Sequence, residues 1–509
     1  MDRSTKKFQS HRSAWAFLTV WVLWSSAAIA AVPAAVKVDW SRVERVSKTT
    51  ATLQVVVNPP LRRTSPIHDQ YYRSLKSLGG DYVRYVPWLP YPKLGVAELK
   101  PPKNGKTSWN FSLIDPMTED FMNATAGHSV ILNFSTIPQW MFKTPEPVGY
   151  PSDPDQVDWN YEQGTELRDP SMKEVADYYA RLVSWYTKGG FTDEYGKRYE
   201  SGHHYKIGYW EVLNEVDGEH KMSPEFYTRI YDAIVTAIRK VDPSMKFVGM
   251  ALAGTSPGPD FSDPVPEYFE YFLNHKNHEP GVPLDMISYH FYAGPASDES
   301  VDSWPYTFFA QANYFLDEVR FIEAIRKRLS PETKTTVDEL GVILPDDNVV
   351  PRKPIPNSYW NLCAAMYAYL YARLSQLGID VIGESQFVGY PSQFPSVSMT
   401  NWKTGQLNAR GWVLKLLRDN FGPGDKLVQT SVHSPGVFAQ GFSTPDGEHK
   451  VLLVSKRNWD IDVSLPGASQ ATEQYVDQST GDEPPASVHL TGDTITLKGF
   501  AVAVVTLPR

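Results

Sequence analysis

The stretch Tyr209-Trp210-Glu211-Val212-Leu213-Asn214-Glu215 decides how the chain is read. It is a short apolar run that stops abruptly at two polar residues, Asn214 and Glu215. A barrel of parallel strands presents carboxylates in this way, from a strand end into the loop at its C-terminal mouth. Moving outward, the pattern recurs. Strand-like runs lie upstream at 51–57, 81–86 and 128–134, the quoted stretch belongs to a run at 205–213, and further runs follow at 246–250, 284–290, 334–338 and 379–384. Helical periodicity fills most of the gaps. Helices are expected over 72–78, 121–126, 267–273, 306–328, 359–376 and 409–419. Two more should start at cap-plus-proline pairs, Asp169-Pro170 and Ser223-Pro224. Eight strand units that mostly alternate with helices imply a parallel sheet closed into a (β/α)8 TIM barrel, an α/β fold. The competing open doubly wound sheet would want a glycine-rich loop after the first strand, where the chain has Asn58-Pro59-Pro60.

The pattern changes after Gly422-Pro423-Gly424. Short strand-like runs such as 451–454, 494–497 and 501–507 are separated by turn residues, with no helical periodicity. We therefore expect a leader over 1–30, a barrel over 31–424 and a C-terminal β-sandwich module over 425–509, with 36–46 able to add a strand to that module.

A chain of 509 residues with 42% hydrophobic residues can bury a large core. Its net charge is −9, and the first 30 residues carry +3, which leaves −12 on the rest. Such an acidic body lacks the electrostatic footprint of a nucleic-acid or anionic-membrane partner. Arg3, Lys6, Lys7 and Arg12 precede an apolar run that ends in Ala28-Ile29-Ala30, the pattern of a cleaved secretory leader. The mature chain is then expected in a secreted, periplasmic or extracellular setting, free of the membrane. Cys363 is the single cysteine, so no internal disulfide forms, and its apolar helical context suits a small buried hydrophobe. No zinc-type ligand cluster is seen, and neither a metal nor an organic cofactor is expected.

The chemistry rests on carboxylates. Thr335-Thr336-Val337-Asp338-Glu339 is a second β-prone run ending in a Glu. Two carboxyl groups facing each other across a barrel mouth can cleave a glycosidic bond: one donates a proton, the other attacks carbon or activates water. Glu215 is the candidate acid/base and Glu339 the candidate nucleophile. Because side chains alternate along a strand, only one of Asp338 and Glu339 is expected to face the mouth, with Asp338 as the fallback. Asn214 can hold a sugar hydroxyl. Trp88, Trp140 and Trp402, in loops after strands two, three and eight, can stack on sugar faces or simply pack. Of the glycosylation sequons at Asn110, Asn123 and Asn133, the last falls on an expected barrel strand and is not expected to be used.

Trp210 to Glu215, with Glu339 downstream, resembles the clan A retaining glycosidases on a (β/α)8 barrel. Within that clan the chain is most similar to glycoside hydrolase family 39, which includes β-xylosidases and α-L-iduronidases. The resemblance implies that Arg84, in Tyr82-Val83-Arg84, supports the nucleophile. It also implies that His290 and Tyr292, in Ser288-Tyr289-His290-Phe291-Tyr292, lie beside it. Leu213 stands where relatives carry an aromatic residue, Val216-Asp217 replaces Pro-Asn or Pro-Asp, and Leu340-Gly341 replaces Trp-Asn. These departures bear on the sugar more than on the reaction. The expected function is a retaining, exo-acting glycoside hydrolase acting on an extracytoplasmic poly- or oligosaccharide. The alternatives are an endo-acting glycanase of the same clan and an inactive carbohydrate-binding barrel.

Overall fold

The computed structural model describes residues 32–146, 149–159, 161, 164–254 and 265–508; the expected leader lies outside them. Eight parallel strands close into a barrel. In chain order they are Thr50–Val56, Val83–Val86, Val130–Leu132, Tyr209–Glu211, Lys246–Leu252, Met286–Ala293, Lys334–Val342 and Val381–Glu384. The last pairs back onto the first, Val381 with Thr50. These strands are covered on both faces, so polar and apolar residues alike are buried along them. In Lys334–Val342 every residue but the first is buried.

Helices wrap the outside. Pro224–Val241 starts where the sequence places it, with Ser223 Oγ accepting from Phe226 N at 3.2 Å, and it buries Ile230, Ile234 and Ile238 against the barrel. The helix expected at Asp169-Pro170 begins later, at Lys173. A turn intervenes with Met172 at φ 61°, and Asp169 caps from a distance by accepting from Ser171 N and Glu174 N, both at 3.0 Å. Among the described residues no helix is long and apolar enough to cross a membrane.

Of the remaining strands, Gly190–Thr192 and Arg198–Glu200 pair as a small hairpin, and the other nine form a sheet that includes Ala34–Val46 from the N-terminal side. That strand joins two layers, pairing antiparallel with Lys426–Val432 over most of its length and parallel with Ile461–Ser464 at its start. The sheet curls around a core of its own. Its central strands face two ways with period two: Leu452, Val454, Val502 and Val504 join the barrel's core, while Val451, Leu453, Ala503 and Val505 join the second.

Candidate active site

Strand four ends at Glu211, and the chain then turns sharply, with Leu213 at φ 67° and Glu215 at φ 41°. Left-handed φ at bulky residues is strained by about 1–3 kcal/mol each and persists only where the surroundings impose it. Here Leu213 and Val216 are fully buried, Leu213 O accepts from Asn133 Nδ2 at 3.0 Å, and Glu215 N donates to Ala251 O at 2.7 Å. Two of the sequence departures, Leu213 and Val216, are therefore packing residues that hold the turn.

A cavity of about 360 Å³ lies at the C-terminal ends of the strands. Glu215, Glu339, Asn214, Tyr292 and Trp88 line it. Oxygens of Glu215 and Glu339 and the Nδ1 of His290 all lie within 4.8 Å of one another. Tyr292 OH donates to Glu339 Oε2 at 2.6 Å, and Arg84 Nη1 donates to Glu339 Oε1 at 2.5 Å. His290 Nδ1 lies 2.9 Å from Glu215 Oε1 and 3.6 Å from Glu339 Oε2. Trp88 Nε1 donates to Glu219 Oε1, which also accepts from Asn214 Nδ2.

Arg84 organises the floor beneath these groups. Its Nη2 donates to Asn214 Oδ1 at 2.6 Å, its Nη1 also donates to Gln54 Oε1 at 2.7 Å, and its Nε donates to Glu211 Oε2. Glu211 further accepts from Asn133 Nδ2 and Ser288 Oγ, both at 2.7 Å. Asn133, the sequon on strand four's neighbour, is thus fully buried. Asp338 approaches Arg84 Nε at 3.4 Å and His290 Nε2 at 3.5 Å.

Of Asp338 and Glu339, Glu339 lines the cavity and Asp338 does not, but strict strand alternation is not the cause. Strand seven slips its register against strand six between Val337 and Glu339, so Asp338 is an extra residue in a bulge. Both side chains therefore turn inward: Glu339 lines the cavity and Asp338 lies under it against Arg84 and His290.

The electrostatics follow from burial and crowding. Burial alone would lower the His290 pKa, but the charge of Glu339 and hydrogen bonds to Asp338 and Glu215 outweigh it, and the pKa rises well above 6.5. Burial, against the charge of Arg84, raises Glu211, and neighbouring Asp338 raises it further. Asp338 is held below its usual range, since Arg84 and His290 overcome its burial. Four carboxyls thus face two cations, which crowds negative charge around Arg84 and His290. Glu215, His290 and Glu339 are also the group among the described residues whose atoms lie close enough to hold a metal ion.

Two sequence candidates fall elsewhere. Trp140 is not among the residues lining this cavity; its Nε1 donates to Glu98 O at 2.7 Å, and the Arg168 guanidinium covers its ring at 4.3 Å. Trp402 lines a different cavity. Conversely, Trp159 and Phe394 line the cavity holding Glu215 and Glu339, beside Trp88, and were not singled out in the sequence. Trp159 meets Trp88 edge-on at 5.6 Å. No local signal marks it, because it arrives from a long loop.

No protein-family description and no curated protein matches the sequence. Solved structures do match. A GH51 arabinofuranosidase from Xanthomonas axonopodis pv. citri superposes with a TM-score of 0.63 at 13% identity, covering 94% of this chain and 100% of that one. A GH30 endoxylanase from Clostridium papyrosolvens C71 gives 0.54 at 15%, covering 93% and 100%. A glucosidase from Croceicoccus marinus gives 0.57 at 14%, covering 94% and 99%. Across nearly its whole length the chain therefore shares the barrel-plus-β-domain fold of these glycoside hydrolase structures.

Proposed function

We propose that the protein is a retaining glycoside hydrolase, exo-acting on an extracytoplasmic poly- or oligosaccharide, with Glu339 as nucleophile and Glu215 as acid/base. The observation that carries this reading is the pair of carboxyl oxygens within 4.8 Å of each other across one cavity. Retaining enzymes need their carboxyls roughly 5–5.5 Å apart, whereas inverting ones leave roughly 6.5–9.5 Å for a water. Neighbouring structures described as an arabinofuranosidase, an endoxylanase and a glucosidase favour a neutral sugar and the same general chemistry. The finer resemblance to family 39 rests on the sequence motifs alone.

In the first step a Glu339 oxygen attacks the anomeric carbon. The bond from that carbon to the leaving oxygen breaks, and Glu215 supplies that oxygen's proton. A water then attacks the same carbon, giving its proton to Glu215 and releasing Glu339. Tyr292 and Arg84 hold one Glu339 oxygen each, which fixes the attack geometry. His290 engages Glu215 Oε1, so Oε2 is the oxygen that passes the proton. Trp88 and Trp159 offer apolar walls to a sugar ring. A cavity of this size, about 360 Å³, suits a terminal sugar and supports exo action over the endo alternative. The division into a leader over 1–30, a barrel to 424 and a β-module from 425 belongs to the same proposal.

The test is a panel of nitrophenyl glycosides. Glu339→Gln should lose at least about 10³-fold in kcat with its melting temperature kept, and Glu215→Ala about 10²–10⁴-fold. Undiminished turnover in Glu339→Gln would rule out its role, and absence of turnover by the wild type on every glycoside would favour the inactive-barrel alternative.

A further inference from the structure

A second cavity, about 580 Å³, opens beside the catalytic one. Ile343 and Phe394 line the catalytic cavity, and their chain neighbours Leu344 and Pro395 line this one, so a single wall separates the two. Its other sides come from loops after strands six, seven and eight, with Asp482 contributed by the β-domain. Three tryptophans reach it: Trp304, Trp360 and Trp402. Trp360 and Trp402 are part-exposed and meet edge to face at 6.4 Å and 68°, making a floor and a wall.

Polar side chains line the cavity beside the indoles, among them Glu299, Asn401, Lys403 and Asp482, and they call for a ligand that carries hydroxyls. Indole faces call for an apolar surface on the same ligand. A sugar ring has both, an apolar face and a rim of hydroxyls that accept from N–H groups and donate to carboxylates. Lys353 pairs with Asp346, and Asp347 accepts from Ser396 N and Oγ. The lining carries charges of both signs, Glu299 and Asp482 against Arg352 and Lys403, so it favours neither an anion nor a cation.

We propose that this cavity binds a neutral sugar unit of the same glycan whose end is held between Glu215 and Glu339. The proposal rests on the glycosidase reading and extends it: the substrate is an oligosaccharide or polysaccharide that reaches past the wall formed by Leu344 and Pro395.

The test uses the full chain carrying Glu339→Gln, so that binding is read without turnover. Three uncharged probes are titrated by calorimetry: xylohexaose, cellohexaose and an arabinoxylan oligosaccharide. At least one should bind, and adding Trp402→Ala should weaken it about tenfold or more, near 1.4 kcal/mol per tenfold. Trp360→Ala should do the same, and Trp402→Phe, which keeps a ring, should recover most of the affinity. An unchanged melting temperature separates these losses from unfolding. Equal affinity with and without Trp402, or no binding of any probe, overturns the proposal. Aryl-glycoside turnover by the wild type judges the catalytic reading separately: turnover with Trp402-independent binding sinks only the second site, and Trp402-dependent binding without turnover sinks only the catalysis.

Discussion

Arg84 is the residue on which the site's electrostatics turn. It is fully buried and contacts Glu211, Asp338, Glu339, Asn214 and Gln54 at once. Its place was legible only through the family resemblance that Tyr82-Val83-Arg84 carries. Glu215 and Glu339 were legible as carboxylates at strand ends. Glu211, Ser288 and Asn133 were not, since their mutual contacts join residues 77 and 78 positions apart. Arg84→Met should destabilise the fold by about 3–5 kcal/mol, because it leaves buried carboxyls without their cation; chemical denaturation reads this directly. His290 makes a pH-dependent contribution. Its pKa rises on folding, so its stabilisation is complete below about pH 6.5 and is lost as pH climbs through the raised value. His290→Gln should therefore lower the melting temperature most near pH 5–6 and progressively less toward pH 9–10. A deficit that grows with pH would contradict the protonated state.

At the scale of elements, two bulges aim the chemistry. Strand seven bulges at Asp338, and strand five slips between Gly249 and Leu252, with Met250 at φ 81° and Ala251 at φ 44°. The second bulge presents Ala251 O to Glu215 N and Ala251 N to Ser288 Oγ, tying strands four, five and six together. Strict period-two reading cannot anticipate such insertions: Glu339 alone of the pair lines the cavity, yet Asp338 turns inward beneath it and not to the strand's other face. Existence of the eight barrel strands was readable from buried, apolar runs, whereas their ends were not; the run at 205–213 shrinks to Tyr209–Glu211. In the C-terminal sheet, Ile461–Ser464 and Ala486–His489 escaped notice because four-residue strands with exposed faces carry little hydrophobic signal. The strand-seven bulge also presses on strand eight. A Cβ at Gly383 would sit 2.9 Å from Asp338 O and 3.1 Å from its Cα. Gly383→Ala should cost about 1–3 kcal/mol and lower kcat more than it raises KM, since it displaces the bulge. Wild-type stability and kinetics in this variant would show that the bulge is not constrained from strand eight.

At the scale of the whole molecule, the β-domain is built into the barrel. Phe421 packs tilted against Phe442 at 4.2 Å, Tyr369 meets Phe438 at 5.0 Å, and Gln376 Nε2 donates to Gln440 Oε1 at 2.6 Å. Its central strands give one face to the barrel's core, and the N-terminal strand Ala34–Val46 needs Lys426–Val432 as its partner. A chain cut after Gly424 should consequently lose its cooperative thermal transition and aggregate, which scanning calorimetry and light scattering would reveal; a soluble, cooperatively melting barrel would show the domains to be independent. What the assembled fold accomplishes is to bring Glu215 from strand four and Glu339 from strand seven to opposite sides of one cavity. The most direct test of that arrangement is the anomeric configuration of the first-formed sugar, followed by proton NMR during cleavage of whichever nitrophenyl glycoside the wild type accepts. Carboxyls this close predict release of the same anomer as in the substrate, and release of the opposite anomer would contradict Glu339 as nucleophile.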